Sequence, residues 1–416
     1  MAYRPRIVDT ELATLLRSAG AVVVEGPKAC GKTATARQLA ASEVLLDVDE
    51  PARQVAALDP ALVLAGPTPR LLDEWQVVPA LWNQVRRQVD AAGAPGRFIL
   101  TGSAVPADDV TRHTGAGRMA RLRMRPMTLA ESGAGTGAIS LAALMAGEPP
   151  RSADPGLTIP DLLTQVAVGG WPLNLTRDVP AAQRAVVDYL EDIRRVDIRR
   201  VDGVTRDPDK VGRLLRALAR HVATEVSVTT LAADAGGADG PLARDTVLDY
   251  LGALERLGII EDQPAWAPHL RARARVRGSE KRHFVDPSLA VAALGASPAR
   301  LLADPNAAGL LVESLVIRDL RVYAQALGAT VRHYRDNTGL EVDAIVERAD
   351  GTWGAFEIKL GQGQIDAAAE SLTRMAAKID TTRCGPPAVL GVIVGTGYGY
   401  RRPDGVAVIP IGALGL

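Results

Sequence analysis

Eight residues near the N-terminus constrain this chain more than any other feature. Gly26-Pro27-Lys28-Ala29-Cys30-Gly31-Lys32-Thr33 fits GxxxxGK[ST]. The apolar run Ala21 to Glu25 precedes it, and a helical pattern opens at about Lys32. That order predicts a buried strand, a glycine turn and a helix, with backbone N–H groups and the positive helix end wrapped around phosphate oxygens. Lys32 is then expected to reach the β and γ phosphates of ATP, and Thr33 to ligate Mg²⁺.

Such a loop needs an acid on a neighbouring strand. Leu71-Leu72-Asp73-Glu74 offers one: Asp73 for the Mg²⁺ shell, and Glu74 to orient or deprotonate the attacking water. Thr101 and Ser103 end the next apolar run, RFILTGS at 97–103, where a polar group can sense the γ-phosphate. Arg112 and Arg118 follow, and Arg118 is the better candidate for an arginine that faces the phosphate. If it acts in trans, the active form is a homo-oligomer. Cys30 is read as a small residue that fits the loop.

At 416 residues the chain exceeds the ~250–300 at which single cores stop growing. An α/β fold in several domains is expected. Residues 1–131 alternate short apolar runs (21–25, 45–49, 69–74, 97–103) with helical stretches, the pattern of a parallel sheet covered on both faces. Residues 132–160, rich in Gly, Pro and Ser, read as a linker or insertion with room for one short helix (LAALMAG), and 161–210 as a helical lid-like region. Residues 211–290 give three helices and then a hairpin, the order of a winged helix. Residues 300–416 give a helix, two strands joined by an Asp-Gly turn, a helix and a strand.

Lysine plus arginine total 48, as do aspartate plus glutamate, so any basic surface must be local. Arg271, Arg273, Arg275 and Arg277 alternate along RARARVRG. On a strand they share one face, where a winged helix rests on phosphates, and Lys281 and Arg282 follow. Arg194, Arg195, Arg199 and Arg200, interleaved with Asp192 and Asp197, read instead as a salt-bridged face. Near the C-terminus, Asp343 and the later Glu357-Ile358-Lys359 fall on two strands of one hairpin, with Glu313 on the helix before them. Two carboxylates and a lysine on one surface can hold Mg²⁺ and activate water for phosphodiester cleavage. The alternative is a cross-strand salt-bridge cluster. This D…ExK arrangement resembles the PD-(D/E)XK nuclease core.

No apolar run approaches the ~20 residues that span a bilayer, so no membrane partner is expected. No apolar h-region precedes a cleavage site at the N-terminus, and two cysteines in no metal or disulfide spacing add to a cytoplasmic expectation.

GPKACGKT, LLDVDEPARQVAALDP, PRLLDEWQVVP, RFILTGSA, GAGRMARLRMRPMTLAE, GGWP, RHFVDPSLA, GLLVESLV, and NTGLEVDAIVE with EIKLG occur in this order. Together they resemble the prokaryotic AAA+-type ATPases that carry a C-terminal domain of unknown function with a PD-(D/E)XK-like fold. The resemblance implies Mg·ATP at Lys32, Thr33, Asp73 and Glu74, with Arg118 as the finger. The leading expectation is a Mg·ATP-dependent ATPase whose turnover is coupled to nucleic acid, DNA favoured, with an attached nuclease-like domain. The rivals are an ATP-switched metal-dependent nuclease and an ATP-dependent protein-interaction switch.

Overall fold

Short runs of aliphatic and β-branched residues build the first sheet. β1 (Ala21–Glu25), β2 (Ser42–Leu45), β3 (Arg70–Asp73), β4 (Phe98–Thr101) and β5 (Met119–Arg123) pair in the order β2-β3-β4-β1-β5, every pair parallel. The computed structural model describes residues 2–102, 115–238, 240–268 and 279–416. These fall into two compact units. One comprises Met1–Pro126, Val196–Thr205 and Gly252–Ile259, and the other Met127–Arg195, Arg206–Leu251 and Ile260–Leu416.

In the first unit, strand alternation sorts side chains onto two helix-covered faces. Val22, Val24, Leu71 and Ile99 pack with Leu12 and Leu16 of the helix Val8–Ser18. Ala21, Val23, Leu72 and Leu100 pack with Trp82, Val85 and Val89 of the helix Ala80–Ala92. Each fully buried side chain of this kind is worth ~1.5–3 kcal/mol. The register sets Val24, Thr101, Asp73 and Leu45 side by side, so the polar residues end their strands at one edge. β5 is missing from the sequence reading because only one face of MARLR is buried, and its arginines mask the apolar pattern. The run 45–49 is shorter than expected as a strand. β2 stops at Leu45, and Asp49 instead caps the helix Glu50–Leu58 by accepting from the Ala52 N–H.

The second unit holds a mixed sheet of β7 (Ala329–Arg335), β8 (Glu341–Arg348), β9 (Trp353–Lys359), β10 (Val389–Val394), β11 (Tyr400–Arg401) and β12 (Ala407–Pro410), ordered β11-β12-β10-β9-β8-β7. β7, β8 and β9 are antiparallel neighbours, whereas β9, β10 and β12 run parallel. The β9-to-β10 crossover carries the helix Ile365–Lys378, as a parallel connection requires. The helix Pro305–Ala326 precedes β7 and packs on it. Residues 132–160 carry a short helix at LAALM. β6 (Ile139–Ser140) pairs with β13 (Leu414–Gly415), Ser140 caps the helix Leu141–Met145, and Leu141, Leu144 and Met145 are buried. Apolar residues spaced on one helical turn outweigh the glycines around them.

The middle of the chain gives the helices Pro208–Arg220, Val228–Asp234 and Arg244–Arg256. Antiparallel bridges join Ile260 to Phe284, and both Gln263 and Glu225 to Lys281. No described helix is long and apolar enough to cross a membrane.

Candidate nucleotide site

The loop from Gly26 to Thr33 joins β1 to the helix Lys32–Arg37, and its shape depends on its glycines. Gly26 has φ +156°, and a Cβ there would lie 2.2 Å from the Met124 carbonyl oxygen. Gly31 has φ +104°, a left-handed conformation that glycine adopts at least cost. Cys30 is fully buried behind the loop and fills space there, leaving no exposed thiol for redox work. Arg6, which the sequence reading misses, is also buried. It donates from Nη1 to the Cys30 carbonyl at 3.0 Å and from Nη2 to the Arg125 carbonyl at 2.8 Å. Lys32 folds its Nζ onto the Gly26 and Pro27 carbonyls at 2.9 and 2.8 Å.

Beside the loop, Thr33 Oγ1 donates to Asp73 Oδ1 at 2.8 Å, and Thr101 Oγ1 donates to the same oxygen. The strand order explains this convergence: β4 lies between β1 and β3, so Thr101 is flanked by the loop strand and the acid strand. Glu74 follows with φ +52° and ψ +43°, unusual for a side chain of its size, and accepts from Gln76 Nε2. Gln76 is a second residue that the sequence reading misses. Thr33 and Asp73 present two hard oxygens at hydrogen-bond spacing, a fit for Mg²⁺ arriving with a nucleotide.

Comparison with known proteins bears on each region. Residues 18–133 match the family model described as AAA domain. Residues 159–300 and 308–414 match two domains of unknown function, DUF8612 and DUF4143. The segment that carries the loop is thus similar to AAA domains. Uncharacterized proteins of Mycobacterium bovis and Mycobacterium tuberculosis are each 30% identical over 137 residues, 32% of this chain and 31% of theirs. The chain thus spans about a third of the curated relatives it matches. A Walker-type ATPase of Pyrococcus abyssi shares 12% identity at a TM-score of 0.42, over 70% of this chain and 99% of its own.

In the first unit, Arg118 is placed far from the loop of its own chain. It immediately precedes β5, and the register pairs Met119 with Ala21 at the start of β1, whereas the loop leaves the other end. At ~3.3 Å per residue the separation is ~16–20 Å. Its Nε pairs with Asp90 Oδ1 at 2.6 Å instead. The register thus sets Arg118 away from the loop of its own chain. Ser103 and Arg112 lie outside the described residues, as do Arg271, Arg273, Arg275 and Arg277. Lys28, inside the loop, pairs with Asp197 at 2.5 Å. The salt-bridged reading of the 194–200 cluster changes partners accordingly: Arg194 and Arg195 both pair with Glu191, and Asp197 serves the loop.

In the second unit the structure does bring Asp343, Glu357, Lys359 and Glu313 together. Ala344 pairs with Phe356, which sets Asp343 beside Glu357 on neighbouring strands, and Glu313 reaches in from the helix Pro305–Ala326. Lys359 Nζ lies 2.6 Å from Glu357 Oε2 and 3.3 Å from Asp343 Oδ2. Unforeseen in the sequence reading, Lys281 enters the same cluster, 2.7 Å from Glu313 Oε1 and 3.5 Å from Asp343 Oδ1. Burial, with the Asp343 charge, pushes the Glu313 carboxyl up to about 8 and that of Glu357 up to about 7. Burial also works against ionised Asp343. The Lys281 and Lys359 ammoniums and the Ile358 N–H outweigh it and hold Asp343 below the usual range.

Among the described residues, no group of three or more His, Cys, Asp or Glu side chains is arranged to hold a metal ion. Lys281 and Arg282 both turn toward acidic partners. The first is 5% exposed, and the second pairs with Asp262.

Proposed function

We propose that the chain is a Mg·ATP-dependent ATPase that couples turnover to nucleic-acid binding, DNA favoured. The observation that carries the ATPase reading is the single Asp73 oxygen that accepts from both Thr33 and Thr101 at the mouth of the loop. Lys32 turns from the Gly26 and Pro27 carbonyls to the β and γ phosphates, exchanging two neutral acceptors for charged ones. Thr33 and Asp73 would hold Mg²⁺, which would supply charge neutralisation to the phosphates. Glu74, held by Gln76, orients the attacking water. Arg118 serves the nucleotide of a neighbouring copy, which makes the active species a homo-oligomer.

The nucleic-acid half of the proposal is supported by order along the chain. Three helices are followed by antiparallel bridges, Ile260 to Phe284 and Gln263 to Lys281, which bracket the stretch bearing Arg271, Arg273, Arg275 and Arg277. Fluorescence anisotropy with single-stranded DNA, duplex DNA and RNA, read across a salt series, tests it. The expected result is salt-sensitive binding whose log–log slope falls by ~3–4 when the four arginines become alanine. ATP turnover indifferent to all three nucleic acids, with no binding, would leave the ATP-dependent protein-interaction switch standing.

A further inference from the structure

We infer that Lys281 is an internal cation occupying the place where the acidic cluster of the C-terminal unit would otherwise take a divalent metal, so that this cluster binds no metal in the native protein. Glu313, Asp343 and Glu357 supply three carboxylates from one helix and two strands, and Lys281 and Lys359 supply two ammoniums. Both oxygens of Asp343 and one oxygen of each glutamate are already committed. Asp343 offers one oxygen to Lys281 and the other to Lys359 and to the Ile358 N–H at 2.8 Å. Glu313 is committed to Lys281 and Glu357 to Lys359.

Lys281 is no wandering surface side chain. Its backbone exchanges both hydrogen bonds with Gln263, at 2.9 and 3.0 Å, and Gln263 Nε2 donates to the Asp343 carbonyl at 2.9 Å. The segment that delivers the ammonium is therefore tied to the strand that carries Asp343. A magnesium ion needs oxygen ligands at ~2.0–2.1 Å in near-octahedral geometry, and it cannot share the space between Glu313 and Asp343 with an ammonium 2.7 Å from Glu313. The ammonium supplies the positive charge that a metal would bring and leaves no position open for a water nucleophile on that metal.

Mn²⁺ titration of the full-length, nucleotide-free protein, read by electron paramagnetic resonance and by the melting temperature, tests the inference. Asp73→Asn serves to discount metal at the ATP site. Wild type is expected to show no Mn²⁺ binding that survives Asp73→Asn. Lys281→Met, close in volume and uncharged, is expected to melt lower without metal. It should recover by about 4 °C or more at saturating Mn²⁺, and the recovery should vanish in Lys281→Met with Asp343→Asn. Mn²⁺ binding in wild type that persists in Asp73→Asn and disappears in Asp343→Asn overturns the inference, as does a folded Lys281→Met that ignores Mn²⁺. If Lys281→Met does not fold, the wild-type titration decides alone.

Discussion

Thr33 and Asp73, forty residues apart, meet at 2.8 Å because β4 lies between their strands and Thr101 completes the contact from the middle. Asp73 is thus aimed before any nucleotide arrives. Thr101→Val removes a buried donor and frees Asp73 to turn. We expect a loss of ~1 kcal/mol in stability and a rise of at least ~10-fold in the Mg²⁺ needed for half-maximal ATP turnover. A Mg²⁺ titration of the variant's turnover checks this, and an unchanged midpoint would show that Thr101 does not position Asp73.

Arg118→Ala makes a different demand. Its ion pair with Asp90 is exposed on both sides, so stability should change by less than ~1 kcal/mol. Nucleotide affinity of the isolated chain should be unchanged, because the register separates Arg118 from its own loop. Turnover should fall, and mixing with a Lys32→Ala chain should restore part of it. Weaker ATP binding by the dilute variant would contradict the placement.

The Lys28–Asp197 pair sets a carboxylate beside the phosphate cradle. Asp197→Asn removes a negative charge that opposes the incoming triphosphate. At an effective dielectric suited to the protein surface the gain is ~1 kcal/mol, or about fivefold tighter ATP binding. Titration with a fluorescent ATP analogue reads it directly, and equal or weaker affinity in the variant would sink the argument.

The acidic cluster imposes a pH dependence whose sign can be worked out. The Glu313 carboxyl is raised in the folded protein from 4.5 to about 8. The folded state therefore binds more protons than the unfolded state between those values. Stability from this group is complete below 4.5 and lost as pH rises through about 8, at no more than ~1.4 kcal/mol per pH unit. Denaturant melts of wild type and Glu313→Gln across that window should show the wild-type advantage shrinking as pH rises. A difference independent of pH would mean that Glu313 is not held protonated by its surroundings.

Local signals made much of this legible in the sequence. The eight-residue loop, its flanking strand and helix, and the acid after the third strand are each announced by neighbours within a few positions. Thr101 was visible as a polar end to an apolar run. The Asp343, Glu357 and Lys359 set follows from two-residue strand alternation across one hairpin. Residues that act at long range were hidden. Arg6 reaches the Cys30 and Arg125 carbonyls across 24 and 119 residues of chain. Lys281 looked like the tail of an arginine run, and only its pairing with Gln263 turns it inward. The distance of Arg118 from the loop depends on the direction of β5, which MARLR does not reveal because its arginines obscure the buried face.

Steady-state ATP hydrolysis with Mg²⁺, wild type against Lys32→Ala, tests the central claim most directly. The account predicts turnover in wild type that requires Mg²⁺ and falls at least ~100-fold in Lys32→Ala, because the variant loses the ammonium proposed for the β and γ phosphates. Wild-type turnover that survives Lys32→Ala, or a pure wild-type protein that binds ATP and never hydrolyses it under any oligomeric condition, would contradict it.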